Sequence, residues 1–307
     1  MIEFIFLGTS ASAPSIHRGL SAQVVIYKDH RFLIDCGEGT QRQILQSGLG
    51  FRRLERILLT HGHLDHILGL GGLISTFARW EAIERLEIYG GRWALERVRD
   101  LVYGVVLRGA QTPLQLELIE IEAGLVLMAD DMEVIAFPVQ HRGQGCFGYL
   151  FREQPRRPFL VERAEALGVP PGPERRLLVA GESITLPNGQ VIHPDQVLGP
   201  PRPGASVAHV GDAARTDGLA DVVRGVDLLV IEATYLERDA EMARQFGHLT
   251  AAQAAQLAQE AGVGRLALTH ISRRYRDWEV MEEASKIFAE TVIAHDFDAF
   301  QVVRRPA

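Results

Sequence analysis

The sequence predicts an α/β protein in which two layers of sheet are covered on the outside by helices, with one inserted projection. Three observations predict it. Strand-like and helix-like segments alternate in both halves of the chain. Histidine and aspartate fall where apolar strands end. Between them, from 153 to 205, the composition changes to proline and arginine.

Residues 2–7 read as the first strand. The Gly/Ser/Pro loop GTSASAPS follows, then strands at SAQVVIYK and RFLIDCG. EGTQRQILQSG reads as a helix that Gly48 stops. A short apolar strand at 56–60 leads into THGHLDH, and GLGGLISTFARW reads as a helix. LEIYG is a strand and ALERVRDLVYGV a helix. LQLELIEIEAG and EVIAFPVQ alternate apolar and polar residues as half-buried strands do, and His141 follows the second.

The stretch from about 153 to 205 holds PRRP, VPPGP and GPPRP, with Arg152 at its edge and Arg156, Arg157, Arg163, Arg175, Arg176 and Arg202 within it. Such composition usually marks a solvated linker. The apolar residues of LLVAGESITL favour an ordered projection that meets an anionic partner. After 205 the rhythm returns: SVAHVGD ends at Asp212, DLLVIEAT runs to Glu232, an Ala-rich helix follows His248, and RLALTH ends at His270.

The chain has 307 residues, is 47% hydrophobic and carries a formal charge of −7. That is enough apolar material for one large domain, 1–307, with 153–205 as its insertion. The acidic balance argues weakly against nucleic acid, but net charge averages over faces and a local basic surface can still hold phosphate. No apolar run is long enough to span a bilayer, and the N-terminus lacks a basic leader. Two cysteines far apart, Cys36 and Cys146, suit free thiols in a reducing cytoplasm.

His61, His63, Asp65 and His66 crowd one turn at a strand end. Imidazole and carboxylate there are poor packing material and good ligands for divalent metals of the zinc class. The bland alternative is a polar loop. Alone, His141, Asp212 and His270 would each be ambiguous; together they give seven candidate ligands that strand ends can bring to one sheet edge. Two adjacent cations need a shared carboxylate, and Asp212 is the candidate bridge. His61, His63 and His141 would hold one ion, and Asp65, His66 and His270 the other. Asp35 reads as structural, beneath the metals.

LGTSASAPS, IDCGEGTQRQIL, THGHLDH, VQH, VGD, GHLT and LTHISRRY, in that order, resemble the metallo-β-lactamase fold and, more narrowly, the ribonuclease Z family, whose members trim the 3′ trailer of precursor tRNA. The resemblance covers nearly the whole chain. It implies a four-layer αββα sandwich with two Zn²⁺ ions per chain, and precursor tRNA as the partner. It also implies a homodimer, whereas the cytoplasmic setting and the absence of a membrane partner rest on the cysteines and on the lack of a long apolar run. The 153–205 insertion would be the flexible arm that grips the tRNA elbow. Asp65 would be ligand and general base, His248 the proton donor to the departing oxygen, and Arg274 a contact to RNA near the cut. A 3′-hydroxyl on the tRNA and a 5′-phosphate on the trailer would result. Ala213, Ile231 and the Leu of GHLT depart from the family's usual residues and touch the surroundings of the site rather than its ligands. The competing function is a small-molecule phosphodiesterase or other hydrolase of the same fold.

Overall fold

The structure, a computed structural model, describes residues 1–80 and 83–304. The last three residues of the expected 1–307 domain lie outside it. The contacts divide the chain into two compact units, 1–152 with 205–307, and 153–204.

The strands, in chain order, are β1 (Ile2–Gly8), β2 (Ala22–Tyr27), β3 (His30–Ile34), β4 (Arg56–Leu58), β5 (Arg85–Gly90), β6 (Gln115–Glu120), β7 (Gly124–Ala129), β8 (Met132–Pro138), β9 (Phe147–Glu153), β10 (Ile184–Thr185), β11 (Val191–Ile192), β12 (Ser206–His209), β13 (Leu228–Glu232), β14 (Leu266–Thr269), β15 (Thr291–Ile293) and β16 (Ala299–Val302). The larger unit holds two seven-stranded sheets, ordered β16-β1-β2-β3-β4-β5-β6 and β15-β14-β13-β12-β9-β8-β7. Both are mixed: β3 to β6 run parallel, as do β12 to β15, while the pairs β1–β2 and β9–β12 are antiparallel.

Three apolar cores define the layers. Phe4, Phe32, Tyr149 and Phe151, with Val207 and Val230, fill the space between the sheets. Ile44, Leu70, Phe77 and Val98 come from helices and pack on the outer face of the first sheet with Leu33 and Ile57. Ala254, Leu257, Ala258 and Val280 do the same for the second sheet. This is the αββα sandwich. β13 is buried along its whole length, as a parallel strand covered on both faces must be, so its run LLVIE is apolar rather than alternating up to Glu232.

Three details differ from the sequence expectation. The helix expected through 94–105 is α-helical only over Arg92–Arg99 and continues as a wide π-type helix over Asp100–Leu107. β7 and β9 are strands that the sequence left unassigned. So are β15, β16 and the helix Asp277–Ser285. β16 closes the first sheet by pairing Val302 with Ile2, a contact with almost the whole chain between its partners and only a four-residue pattern as local signal.

The 153–204 unit has its own small core of Ala164, Val169, Leu178, Ile184, Ile192 and Val197. Short helices Val161–Ala166, Pro173–Val179 and Pro194–Val197 and the β10–β11 hairpin supply it. Arg157 bonds to Asp195 and to the Gly199 and Leu198 carbonyls, and Arg175 to those of Val169 and Pro170. Arg163, Arg176 and Arg202 are exposed and make no ion pair among the described residues.

Candidate metal centre

Four strand ends bring the seven candidate ligands together. β4 leads into Thr60–His66, β8 into His141, β12 into Asp212 and β14 into His270. His61, His63, His141 and Asp212 present ligand atoms within 4.8 Å of one another, as do Asp65, His66 and His270. Asp212 lies between the groups. Its Oδ2 is 3.7 Å from His61 Nε2 and from His141 Nε2, and 3.5 Å from His66 Nε2. Its Oδ1 is 3.5 Å from His270 Nδ1. Asp65 Oδ2 is 3.5 Å from His270 Nε2 and 3.8 Å from His66 Nε2.

Local backbone geometry makes the crowding possible. A side chain at Gly69 would sit 2.0 Å from the Gly37 carbonyl oxygen, so only glycine lets the 66–69 turn lie against the 35–37 loop. The two are laced by Cys36 N–H donating to His66 O and Gly69 N–H donating to Cys36 O. Asp35 and His270 both hold left-handed backbone, at φ 56° and 54°, which for residues other than glycine marks a conformation imposed by surroundings.

Two fully buried carboxylates decide which imidazole nitrogens carry protons. Asp35 Oδ1 accepts from Thr60 N–H at 2.8 Å, and Oδ2 accepts from Thr60 Oγ1 and from His66 Nδ1, each at 2.7 Å. The Thr60 hydroxyl has given its one hydrogen to Asp35, so it can only accept from His61 Nδ1 at 3.0 Å. Glu232 does the same work in the second sheet. It accepts from Ala213 N–H, from Thr234 Oγ1 at 2.5 Å and from His248 Nδ1 at 3.0 Å. Thr234 in turn accepts from His270 Nδ1 at 2.9 Å. His141 Nδ1 donates to the Gly247 carbonyl at 2.7 Å.

By these partners His61, His66, His141 and His270 each carry their proton on Nδ1 and point a bare Nε2 lone pair inward. His63 faces the same centre with Nδ1, 2.9 Å from His61 Nε2 and 3.2 Å from His141 Nε2. His66 Nε2 and His270 Nε2 are buried and have no hydrogen-bond partner. Facing lone pairs and orphaned buried nitrogens are costly by about 1–3 kcal/mol per group, and divalent cations remove the cost. The donor set therefore fits the two-metal expectation.

Charges in the centre are strongly perturbed. Burial pushes Asp212 up, but the imidazoles of His270 and His66 outweigh it and hold the carboxyl well below its ordinary range. Burial would raise Asp65 too, but the neighbouring imidazoles of His270 and His66 hold its carboxyl low. Burial and the neighbouring His141 ring bring His63 down to about 4. His66 goes the other way: Asp212 and Asp35 outweigh its burial and raise it well above an ordinary imidazole. A proton and a cation thus compete for its Nε2.

His248 stands apart from the His61 group. It could join Asp212 and His270 around one ion, an arrangement that would take His270 from the Asp65 group. Its Nδ1 is already held by Glu232, which overcomes burial and raises His248 to about 9. Arg274 is exposed and lines the mouth, a cavity of about 600 Å³ that also includes Arg142, Arg273, Tyr235 and Phe246. Arg142 and Arg273, the threonine relays and Trp93, whose ring meets His63 edge-on at 5.5 Å, were missed in sequence. A Thr one residue before His61 and one in EAT were the only local signals for the relays.

The metallo-β-lactamase superfamily model matches residues 18–149, and a β-lactamase superfamily domain model matches 196–271. Ribonuclease Z of Bradyrhizobium sp. (strain ORS 278) is 48% identical over 302 residues, covering 98% of this chain and 100% of that one. The chain belongs to the ribonuclease Z family. Ribonuclease Z of Archaeoglobus fulgidus is 39% identical over 306 residues, with 98% of each chain covered. The crystal structure of the short form of human tRNase Z superposes with a TM-score of 0.67 at 25% identity, covering 97% of this chain and 98% of that one. Membership fits the site, whose His/Asp clusters could hold the metal of a metal-dependent hydrolase.

Proposed function

We propose that the protein is a two-zinc endoribonuclease that removes the 3′ trailer of precursor tRNA, leaving a 3′-hydroxyl on the tRNA and a 5′-phosphate on the trailer. The family carries tRNA 3′-end processing by a metal-dependent hydrolase. The observation that supports the chemistry is the ring of inward lone pairs around Asp212. His61, His63 and His141 would hold one ion and Asp65, His66 and His270 the other, with Asp212 shared between them. Bound zinc supplies Lewis-acid activation of water and neutralises charge on the phosphodiester.

The chain's own groups do the rest. Asp65 is ionised at neutral pH and carries one hydrogen bond from outside the metal set, from Ser12 N–H at 3.0 Å. It orients the attacking water and accepts its proton. His248, kept protonated by Glu232, gives a proton to the departing 3′-oxygen, work worth about 10²–10⁴-fold. Arg274 steadies phosphate at the mouth, and the 153–205 arm grips the tRNA elbow through the exposed Arg163, Arg176 and Arg202. Family resemblance supports a homodimer in which one subunit's arm serves the other's site. Free, buried Cys36 and Cys146 suit a cytoplasmic setting. No helix among the described residues is long and apolar enough to cross a membrane.

The test is cleavage of a labelled precursor tRNA beside bis-p-nitrophenyl phosphate, with elemental analysis of the purified protein. Two zinc equivalents and a single cut at the trailer junction are expected. Hydrolysis of the small diester with an untouched precursor would assign a small-molecule hydrolase instead. His248→Ala should keep both metals and slow turnover; loss of metal in that variant would make His248 a ligand. Mass in solution by light scattering tests the dimer.

A further inference from the structure

A second cavity, of about 520 Å³, adjoins the mouth: Ser272 and Arg273 line both. Its other walls include Ser10, His17, Arg276 and Trp278. Trp278 is the anomaly. It lies in the first turn of the helix Asp277–Ser285, whose buried positions are Val280 and Ala284, and it is 65% exposed. A tryptophan left in water gives up a large apolar burial, and nothing in the helix's packing needs it there.

The charges beside it favour a polyanion. Asp277 is occupied by Arg18 Nη2 at 2.9 Å and His295 Nε2 at 2.8 Å. Glu279 is taken by Arg238 and by the backbone N–H of Arg276. The guanidinium groups of Arg273 and Arg276 are exposed and have no ion-pair partner among the described residues. The groove therefore offers a bare aromatic face and two exposed guanidinium groups outside any ion pair among the described residues, while the acid that lines it, Asp277, is already paired. A flat face beside exposed guanidinium groups suits an unpaired nucleotide, whose base stacks and whose phosphates are held electrostatically.

We propose that this groove binds the unpaired nucleotides of the 3′ trailer that follow its first one, with the Trp278 indole as the stacking platform and Arg273 and Arg276 on the phosphates. The assignment to the trailer rests on the function proposed above. His248 faces the departing 3′-oxygen of the tRNA, and Arg142, Tyr235 and Phe246 share its part of the mouth. None of these lines the groove, which is built from the segment after His270 and the 10–18 loop. A strand that enters past His248 and crosses the centre leaves the cut on the groove side.

The test compares the wild-type enzyme with Trp278→Ala, Trp278→Leu and Trp278→Phe. Two precursors are used, identical up to the cut, one with a single trailer nucleotide and one with a long single-stranded trailer. Loss of one stacked base should raise KM for the long trailer about tenfold relative to the short one in the Ala and Leu variants. Phe, which keeps a flat ring, should restore most of it, with kcat on the long trailer little changed. An equal effect on both precursors, an effect confined to kcat, or no effect would overturn the proposal. A lower thermal midpoint that tracks the kinetic loss would mark Trp278 as structural and overturn it too. Failure of the underlying function shows differently: wild-type enzyme would then hydrolyse a small diester and cut neither precursor.

Discussion

Asp35→Asn should strip metal from both halves of the centre by reversing hydrogen bonds, without removing a ligand. The native carboxylate accepts three hydrogen bonds, from Thr60 N–H, Thr60 Oγ1 and His66 Nδ1. An asparagine carbonyl can keep the first. Its amide then faces the other two as a donor. His66 must accept on Nδ1 and carry its proton on Nε2, the atom meant for metal. The Thr60 hydroxyl, now an acceptor from the amide, turns its hydrogen to His61 Nδ1 and protonates His61 Nε2 in the same way. Each reversed imidazole has to change tautomer before it can bind, and disturbing such outer partners costs about 10–100-fold in metal affinity, or about 1.4–2.8 kcal/mol per site. The assay is zinc titration against a competing chelator, with circular dichroism to verify the fold. Both binding constants should fall. A variant that folds and binds two zinc ions with wild-type affinity would refute the relay. Weakening of one site alone would refute the Thr60–His61 link.

The remaining predictions concern the proton donor, the loop packing and the arm. The acid form of His248 is present below its pKa and lost above it. Bound cations pull that value down from about 9, so the alkaline limb of kcat should lie below pH 9. Glu232→Gln removes the charge that raises it, and the limb should move further toward acid in a pH–rate profile. Gly69→Ala puts a methyl 2.0 Å from the Gly37 carbonyl oxygen; thermal or denaturant unfolding should show a loss of about 1–3 kcal/mol or more, with weaker metal binding. Deleting residues about 155–200 should weaken precursor tRNA binding far more than small-diester hydrolysis; parallel loss of both would make the segment part of the core fold.

Much of the site is legible in the chain because its chemistry is concentrated. THGHLDH puts four potential ligands in one turn, and VQH, VGD and LTH each end an apolar run, so strand ends can be counted as ligand positions before any contact is known. The αββα layering is legible for the same reason, since burial on one or both faces writes itself into periodicity. β16, which pairs with a strand nearly three hundred residues earlier, has only its four-residue pattern AFQV to announce it. β9 adjoins the insertion, where the change of composition hides a strand.

The sequence by itself determined the fold, the family and the candidate ligand types, because residue chemistry and periodicity are local properties. Only the tertiary structure decided where the protons sit. The Asp35–Thr60–His61 and Glu232–Thr234–His270 relays join residues from different strands, and a hydrogen bond acts only over about 3 Å. Trp278 shows the same divide. In the sequence it is one more aromatic in an unassigned stretch after His270; its bare face beside exposed arginines exists only once the chain has folded.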